Sequence, residues 1–395
     1  MCDDVGQHGQ AIHPTRRSVL RTIGIGAATA VVSVASPAAA NAMTRSATVV
    51  DRSHGSRTRL VLLGTAGGPN WGGGGNRAGV STAIVYDGRV YIVDLGVGSL
   101  RRLSESGLGP ESGTLNLVRG VFFTHLHSDH TADWPTMYTT VHTNTFGRTD
   151  PDPIRVFGPG DRGTLPRVFP PSRPAPAVVA PDSPTPGIAG LTRRLDEAFA
   201  QDLNDRARDS NFRAPSSLFR VEDIDLAGVW DVDPQGVPPR LAAPIDVWVD
   251  GDVTITATLV DHHPTAPAFA YRFDTPDGSV VVSGDTTVSQ NLIDLARGAD
   301  YLVHEVIDPA WVDQVVSPLP PEQAGPVRQH LLEAHTTIAQ VGAQVAQPAG
   351  VKNLVLSHLV PSTSADRVWK PASKGFSGKL TVGSDLLILP VRSRG

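Results

Sequence analysis

The stretch Thr124-His125-Leu126-His127-Ser128-Asp129-His130 is the most informative part of this chain, because it holds three imidazoles and a carboxylate within six residues. It directly follows an apolar run at residues 121–123, which is typical of a strand. Alternate residues of a strand share a face, so His125 and His127 are expected to point to one side. Asp129 and His130 then lie in the following turn, where they can face a second ion. One loop is therefore predicted to begin two metal sites.

Further ligands are needed downstream, because four groups from one loop cannot complete two coordination spheres. Three later apolar stretches, at residues 253–260, 279–283 and 353–357, each end at a candidate ligand. The residues at these ends are Asp261-His262-His263, Gly284-Asp285-Thr286 and His358-Leu359. Loops at strand ends build active sites in layered α/β folds. Four such strand ends in one chain predict a composite metal site.

These motifs resemble those of the metallo-β-lactamase fold superfamily, and within it the ribonuclease Z and arylsulfatase-like branch. The resemblance covers about residues 59–390, apart from a central insertion. It implies an α/β fold of the αββα type, with two mixed sheets face to face, helices outside and metals at one sheet edge. The matching pieces are Leu63-Gly64-Thr65-Ala66-Gly67-Gly68-Pro69, Asp94-Leu95-Gly96, His125 to His130, Gly158-Pro159-Gly160, Asp261-His262, Gly284-Asp285-Thr286, His304-Glu305, His335-Thr336-Thr337 and Ser357-His358-Leu359.

The resemblance implies two adjacent ions with Asp285 as the bridging ligand. Two dications at such a spacing can share a hydroxide and clamp the attacking and leaving oxygens of an ester. Zinc is the expected ion for nitrogen and carboxylate ligands, with manganese and iron as alternatives. The first ion is assigned to His125, His127 and His262, and the second to Asp129, His130 and His358.

One ligand position stays open, because His262 and His263 are adjacent where the family usually has a single histidine. The position relative to Asp261 favours His262 and leaves His263 at the rim of the pocket. His54, His142 and His330 have no motif around them and are expected to be solvated.

The leaving oxygen of an ester needs a proton, and the resemblance assigns its delivery to His335 with support from Glu305. The alternative is that His335 caps a helix that begins near Thr336. Asp129 is expected to accept or orient the proton of the nucleophile. Asp94 follows a strand and is expected to fix the tautomer of a ligand histidine.

Residues 1–42 are predicted to be a twin-arginine signal peptide. Arg16-Arg17 precede an apolar segment at residues 23–35, and small residues follow up to Ala42. The apolar part is too short for a membrane span, and an ordinary Sec signal is the alternative. The twin-arginine machinery carries folded proteins, so we expect a secreted or cell-envelope protein that loads its metals before export. Residues 43–58 are predicted to be a flexible linker and residues 59–395 the hydrolase domain.

Composition limits the choice of partners. The single cysteine, Cys2, lies in the predicted signal, so the mature protein has neither a disulfide nor a thiolate ligand. The net charge of −5 becomes −6 without residues 1–42, which leaves 31 basic and 37 acidic residues. A nucleic-acid partner is not expected from this balance. No later segment is apolar enough to span a membrane, and a homodimer stays open.

The central part, about residues 161–245, is predicted to be an insertion. Residues 166–186 are too rich in proline for regular structure, and Trp71 with the glycines after it is expected to form a loop near the metals. Leu191, Leu195, Phe199 and Leu203 recur every four residues, which predicts an amphipathic helix over residues 191–208. It could serve as a lid over the cleft or pack on the edge of the sandwich. Residues 327–347 carry a second helical pattern.

The predicted function is an exported binuclear hydrolase that uses a metal-bound hydroxide on a small-molecule phosphodiester or sulfate ester. Hydrolysis of a lactone or amide is the nearest alternative, because the same ions can polarise a carbonyl. Processing of transfer RNA at its 3′ end and a non-catalytic metal-binding role rank below these.

Overall fold

Two mixed sheets form the protein, whose computed structural model describes residues 56–69 and 76–392. The predicted signal peptide, most of the predicted linker, His54 and Trp71 lie outside the described residues. The first sheet contains β1 (Thr58–Gly64), β2 (Ser81–Tyr86), β3 (Arg89–Val93), β4 (Val118–Phe122), β5 (Ile154–Pro159), β6 (Phe219–Ile224) and the C-terminal strand Leu387–Val391. The second contains β7 (Ile245–Asp250), β8 (Val253–Leu259), β9 (Phe269–Thr275), β10 (Gly278–Val282), β11 (Tyr301–Ile307), β12 (Asn353–Val360) and β13 (Lys379–Val382).

Both sheets have the same plan, with the C-terminal strand counted as β14. The spatial orders are β14-β1-β2-β3-β4-β5-β6 and β13-β12-β11-β10-β9-β8-β7. Pairing is antiparallel from β14 to β3 and parallel from β3 to β6. It is likewise antiparallel from β7 to β10 and parallel from β10 to β13. The carboxyl ends of β8, β10, β11 and β12 therefore meet at one edge.

The alternation of side chains along the strands places the hydrophobic cores. Leu60 and Leu62 of β1 face the core between the sheets, whereas Val61 and Leu63 belong to a second core under the helices of the first sheet. Phe122 lies at the centre of the inner core, and its ring centroid is 5.2 to 5.5 Å from those of neighbouring aromatic rings. A third core lies under the helices of the second sheet. The predicted αββα sandwich is confirmed.

The helices cover the outer faces of the sheets. None of the described helices is long and apolar enough to cross a membrane. They are α1 (Ser99–Glu105), α2 (Ser128–Thr131), α3 (Trp134–Thr139), α4 (Ile188–Ala198), α5 (Ala200–Ser210), α6 (Gln290–Leu295), α7 (Pro309–Val316), α8 (Pro321–Glu333), α9 (Ile338–Gln340) and α10 (Gln347–Ala349), with a π-helical segment (Val341–Ala346) before α10.

The insertion packs on the sandwich. Residues 160–187, all of them described, contain no helix or strand, as their prolines predict. The single helix predicted over residues 191–208 is instead two helices, α4 and α5, which meet at Phe199. Thr192 accepts a hydrogen bond from Trp134 Nε1 at 3.1 Å, and Asp196 accepts one from the Tyr138 hydroxyl at 2.9 Å. These contacts hold α4 against α3. Leu191 and Leu195 of α4 also pack against the core under the helices of the first sheet, which agrees with the alternative of packing on the sandwich.

Two other predictions need correction. The helical pattern over residues 327–347 is interrupted after α8, where the backbone N–H of Ile307 donates to the carbonyl of Thr336 at 3.0 Å. Because Thr336 pairs with the end of β11, its backbone does not continue the helix. His142, expected to be solvated, is buried, and its ring lies 4.3 Å from that of Phe212. His330 is exposed, as expected.

Candidate metal centre

The loop after β4 points His125 and His127 inward. Thr124 Oγ1 lies 3.2 Å from Nδ1 of His125, so Nε2 of this ring faces the site. His127 has Thr265 Oγ1 at 2.9 Å on Nε2 and His262 Nε2 at 3.3 Å on Nδ1. The carbonyl of Ala334 fixes the other nitrogen of His262 at 2.9 Å. Candidate ligand atoms of His125, His127 and His262 lie within 4.8 Å of one another, which is a spacing that suits one ion.

A second group lies beside the first and consists of Asp129, His130, Asp285 and His358, again within 4.8 Å. Nδ1 of His130 lies 2.9 Å from the carboxylate of Asp94, so its Nε2 faces the site. Asp94 also accepts hydrogen bonds from the backbone and the hydroxyl of Thr124, both at 2.8 Å. Asp94 thus has the contacts that would fix the tautomer of His130.

Asp285 lies between the two groups. Its Oδ2 is 4.0 Å from Nε2 of His125 and 4.0 Å from Nε2 of His262. Its carboxylate oxygens are also 3.3 Å from Nε2 of His130 and 3.3 Å from Nε2 of His358. One carboxylate can therefore reach an ion in either group, which is the geometry that a bridging ligand needs.

The sequence predicted that His358 lies just past the end of a strand. In the structure it lies within β12 and reaches the site from there. The register of β11 and β12 jumps from His304–Leu356 to Val306–Leu359, so a bulge places Ser357 and His358 opposite Glu305. His358 has a φ of 43°, which turns its side chain out of the regular alternation. The strand then continues to Val360.

The buried polar atoms of the site fit divalent ions. Nε2 of His125, Nε2 of His130 and Oδ1 of Asp285 are buried and make no hydrogen bond within the described part of the chain. Such atoms are costly unless something coordinates them. Burial and the neighbouring imidazoles lower the pKa of His125 well below its usual range, which keeps the ring neutral. Burial opposes the charge of Asp285, yet His358 and His130 hold its pKa well below the usual value. Neutral imidazole and ionised carboxylate are the forms that bind metals, which suits His125 and Asp285. The carboxylates of Asp285, Asp94 and Asp129 raise the pKa of His130 well above its usual value against the effect of burial, so an ion would displace a proton from that ring.

His335 and Glu305 form a pair at the edge of the centre. Nδ1 of His335 lies 3.0 Å from Oε1 of Glu305, which also accepts the backbone N–H groups of Thr286 at 3.0 Å and Thr336 at 3.2 Å. Burial disfavours the charged ring, but Glu305 and Asp285 raise the pKa of His335 to about 9. Thr337, not His335, caps α9 through a reciprocal bond with Gln340, so the capping alternative is wrong.

Comparison with known proteins identifies the family. The profile of the metallo-beta-lactamase superfamily matches residues 74–332. The chain belongs to the metallo-β-lactamase superfamily. This confirms the resemblance stated from the motifs, and the protein is a metallohydrolase of that fold with candidate ligands for divalent ions.

Relatives of this superfamily member extend over most of its length. Ribonuclease Z of Mycobacterium avium (strain 104) is 32% identical over 315 residues, which are 79% of this chain and 91% of that protein. Ribonuclease Z of Mycobacterium marinum is 30% identical over 323 residues, which are 81% and 94% of the two chains.

Solved structures share the superfamily fold at low identity. The metallo-beta-lactamase fold protein YhfI from Bacillus subtilis is 16% identical with a TM-score of 0.51, over 84% of this chain and 98% of that one. The short form of human tRNase Z is 17% identical with a TM-score of 0.51, over 84% and 99%.

In this metallo-β-lactamase fold, the two adjacent histidines after β8 point in different directions. His262 is buried and faces the centre, whereas Nδ1 of His263 lies 2.7 Å from Oδ1 of Asp261 and faces away. His263 lines a neighbouring cavity, in agreement with a position at the rim. All seven predicted ligands lie in the two groups, and His262 is the one of the pair that the structure brings to them.

A cavity of about 690 Å³ opens onto the ligand groups of this superfamily member. Its lining includes the charged or polar residues His127, Asp129, Asp285, His335 and His358. It also includes four apolar residues that the sequence did not single out, namely Trp311, Val315, Leu331 and Val360. The backbone N–H of Gly68 also reaches the site and donates to Asp129 Oδ2 at 3.0 Å. The motif at residues 63–69 signalled the glycine loop, but no local pattern signalled the four apolar lining residues.

Proposed function

We propose that the protein is an exported binuclear metallohydrolase that cleaves a phosphodiester bond in a small molecule, with a sulfate ester as the alternative substrate. The observation that carries the proposal is the carboxylate of Asp285, which lies 3.3 to 4.0 Å from histidines of both ligand groups. A three-histidine group joined to a histidine-carboxylate group in this way suits two adjacent dications. Zinc is the proposed ion for these nitrogen and oxygen ligands, with manganese or iron as alternatives.

Two ions at such a site would lower the pKa of water and neutralise charge on the phosphoryl oxygens. The residues of this chain complete the chemistry. Asp129 Oδ2 already accepts from Gly68 and lies 3.3 Å from His358, which orients it to accept or direct a proton of the nucleophile. Glu305 raises the pKa of His335 against the effect of burial, and the ring lines the cavity, so His335 is placed to protonate the leaving oxygen. Glu305 positions the His335 ring.

The first experiment compares an aryl phosphodiester, an aryl sulfate and a lactone with the metal-loaded mature protein. We expect turnover of the phosphodiester, loss of it after chelation and recovery when zinc returns. Turnover of the lactone alone would contradict the proposal and would indicate an enzyme that hydrolyses bonds at a carbonyl carbon.

His262→Ala and His263→Ala form a matched pair, because the residues are neighbours and only His262 faces the centre. His262→Ala should lower the metal content and should lower kcat by at least about 100-fold, as expected for loss of a metal ligand or of a residue that orients one. The second should leave both within about twofold. Equal behaviour of the two variants would contradict the assigned ligand.

A second candidate is processing of transfer RNA at its 3′ end, since the relatives reported above bear the name ribonuclease Z. Against it, the cavity has no lysine or arginine among the described residues that line it. Recognition of a polynucleotide depends on such cations. Efficient cleavage of a transfer-RNA precursor, with weak activity on small phosphodiesters, would favour this candidate.

Export through the twin-arginine pathway can be tested by substituting the paired arginines. Arg16→Lys with Arg17→Lys in the full-length chain should abolish appearance of the protein outside the cytoplasm, because the twin-arginine pathway reads the paired arginines. A matched substitution at Arg21→Lys should leave export unchanged. Unchanged export of the double variant would point to the Sec pathway.

A further inference from the structure

The turn between β13 and β14, at residues 383–386, carries the chain from the second sheet back to the first. The backbone N–H of Gly383 donates to a carbonyl of β12 at 2.8 Å, and that of Leu386 donates to a carbonyl of β1 at 2.7 Å. Both ends of the turn are therefore fixed to strands. Asp385 lies within it, and its side chain is only 9% exposed.

The carboxylate of Asp385 binds both ends of the glycine loop that follows β1. Its Oδ1 accepts a hydrogen bond from the Thr65 hydroxyl at 2.8 Å, and its Oδ2 accepts one from the backbone N–H of Ala78 at 2.6 Å. Arg102 Nε donates to the same Oδ2 at 3.1 Å, and Arg77 donates to Thr65 Oγ1 at 2.7 Å. Hydrogen bonds to an ionised carboxylate are stronger than neutral ones. Asp385 thus closes the base of the loop.

The start of the glycine loop contacts one of the two ligand groups. The backbone N–H of Gly68 donates to Asp129 Oδ2 at 3.0 Å and lies 3.4 Å from Nε2 of His358. Gly67 is packed so closely against His358 that a Cβ there would lie 2.6 Å from its Nδ1. Asp129 and His358 both belong to the second group. Within the described part of the chain, no hydrogen bond joins this loop to the three histidines of the first group.

We propose that Asp385 is a positioning residue for the second ligand group, so that its carboxylate determines the affinity of one metal ion and not of the other. It acts through the glycine loop, because Gly67 and Gly68 fix the places of His358 and Asp129. Residues that orient metal ligands in this way affect metal affinity without touching the ion. This inference rests on the two-ion centre of the proposed function and is independent of the substrate.

Asp385→Asn tests the inference, because an amide replaces one acceptor oxygen with N–H donors that oppose the N–H of Ala78 and the guanidinium of Arg102. One zinc ion should bind at least about tenfold more weakly than in the wild type, and the other should stay within about twofold. Competition with a chelating dye measures both affinities. Anomalous scattering from zinc-loaded crystals should locate the weakened ion beside His130 and His358. Equal weakening of both ions, or of neither, would overturn the inference.

Asp300→Asn is the matched control, because Asp300 is also a buried carboxylate that accepts from a backbone N–H, a hydroxyl and a cation. The N–H and hydroxyl of Ser279 lie 2.9 and 3.4 Å from its Oδ2, and Lys352 Nζ lies 2.7 Å from its Oδ1. It precedes β11, at the end of the sheet opposite the ligand groups. Both zinc affinities should stay within about twofold. Selective loss of one ion here too would mean that lowered stability alone explains the effect.

A second pair of variants applies if Asp385→Asn does not fold. Thr65→Val removes the hydroxyl that joins Arg77 to Asp385 with little change of shape, and it should weaken the same ion. Thr65→Ser keeps the hydroxyl and should bind both ions within about threefold of the wild type. Identical zinc affinities in the two variants would contradict the role of this contact.

Crystal structures of the metal-free proteins separate this inference from the proposed function. The distance from the Gly68 nitrogen to Asp129 Oδ2 should increase from 3.0 Å to beyond about 3.5 Å in Asp385→Asn, which breaks the hydrogen bond. It should stay unchanged in Asp300→Asn. If the wild type binds fewer than two ions, the proposed function fails, and this distance alone decides the inference. An unchanged distance in Asp385→Asn would overturn it.

Discussion

Asp285 links the two ligand groups by its position, because its carboxylate lies 3.3 to 4.0 Å from histidines of both. The turn Gly284-Asp285-Thr286 after an apolar run made this residue a candidate ligand, and the resemblance to the superfamily implied its bridging place. The contacts that orient His127 and His262 could not be predicted, since Thr265 and the carbonyl of Ala334 reach them from distant parts of the chain.

Asp285→Ala is expected to lower bound metal from two ions per chain to one or fewer, because it removes the bridging carboxylate. The value of kcat should fall by about 1,000-fold or more, in line with the loss of an aligned metal site. Metal content by mass spectrometry and phosphodiester turnover check this. Asp246→Ala, at an exposed position of β7, is the control and should retain both. Full activity of Asp285→Ala would exclude a bridging role.

His335 should make folding stability depend on pH. Its pKa is about 9 in the folded protein and near 6.5 when unfolded, so folding takes up a proton between these values. This contribution is complete below pH 6.5 and is lost as the pH rises through 9. For the metal-free protein, the difference in unfolding free energy between wild type and His335→Gln should narrow from pH 6.5 to pH 9. Urea titrations at three pH values measure it, and a constant difference would contradict the raised pKa.

At the scale of elements, the bulge between β11 and β12 turns both Glu305 and His358 into the site. The sequence predicted a strand followed by a ligand here, because the bulge carries no local signature. The same limit applies to the break between α4 and α5. The recurrence of Leu191, Leu195 and Leu203 predicted helix correctly, but contacts of Thr192 and Asp196 with another helix determine its path.

Gly67→Ala tests the fit of the glycine loop against this bulge. A Cβ at Gly67 would lie 2.6 Å from Nδ1 of His358 and 2.6 Å from Cγ2 of Val360, so something must move. We expect displacement of His358 and at least tenfold weaker binding of one ion, measured by competition with a chelating dye. Gly68→Ala is the control. It has open space but a φ of 82°, so it should cost about 1 kcal/mol of stability and keep both ions. Identical metal affinity in both variants would contradict the close approach.

At the scale of the whole molecule, the aromatic core between the sheets determines how the sandwich closes. The fold class was predictable because several ligand motifs occur in one order along the chain. The mixed pairing of each sheet was implied by that resemblance. The four apolar lining residues of the cavity were not predictable, because they meet only when α7 and α8 pack beside β11 and β12.

Phe122→Ala should destabilise the sandwich by about 3 to 5 kcal/mol, the usual cost of a fully buried phenylalanine. Phe122 is completely buried and meets Phe157, Tyr271 and Phe273. Chemical denaturation with tryptophan fluorescence measures the loss. Phe146→Ala is the control, since Phe146 is 55% exposed, and it should change stability by less than about 0.5 kcal/mol. A loss below about 1 kcal/mol at Phe122 would mean that the sheets do not depend on this contact.

The ligand residues come from both sheets. The first sheet and the loop after its strand β4 supply His125, His127, Asp129 and His130, and the second sheet and its loops supply His262, Asp285 and His358. Bound ions would therefore link the two sheets in a chain whose only cysteine is Cys2. A ligand that binds only the folded form adds RT ln(1 + [L]/Kd) to stability, so metal loading and resistance to unfolding should rise together. Chelated protein would melt earlier and be degraded faster by proteases. For the exported enzyme proposed above, the ions that support activity would also contribute to its resistance to unfolding and to proteases.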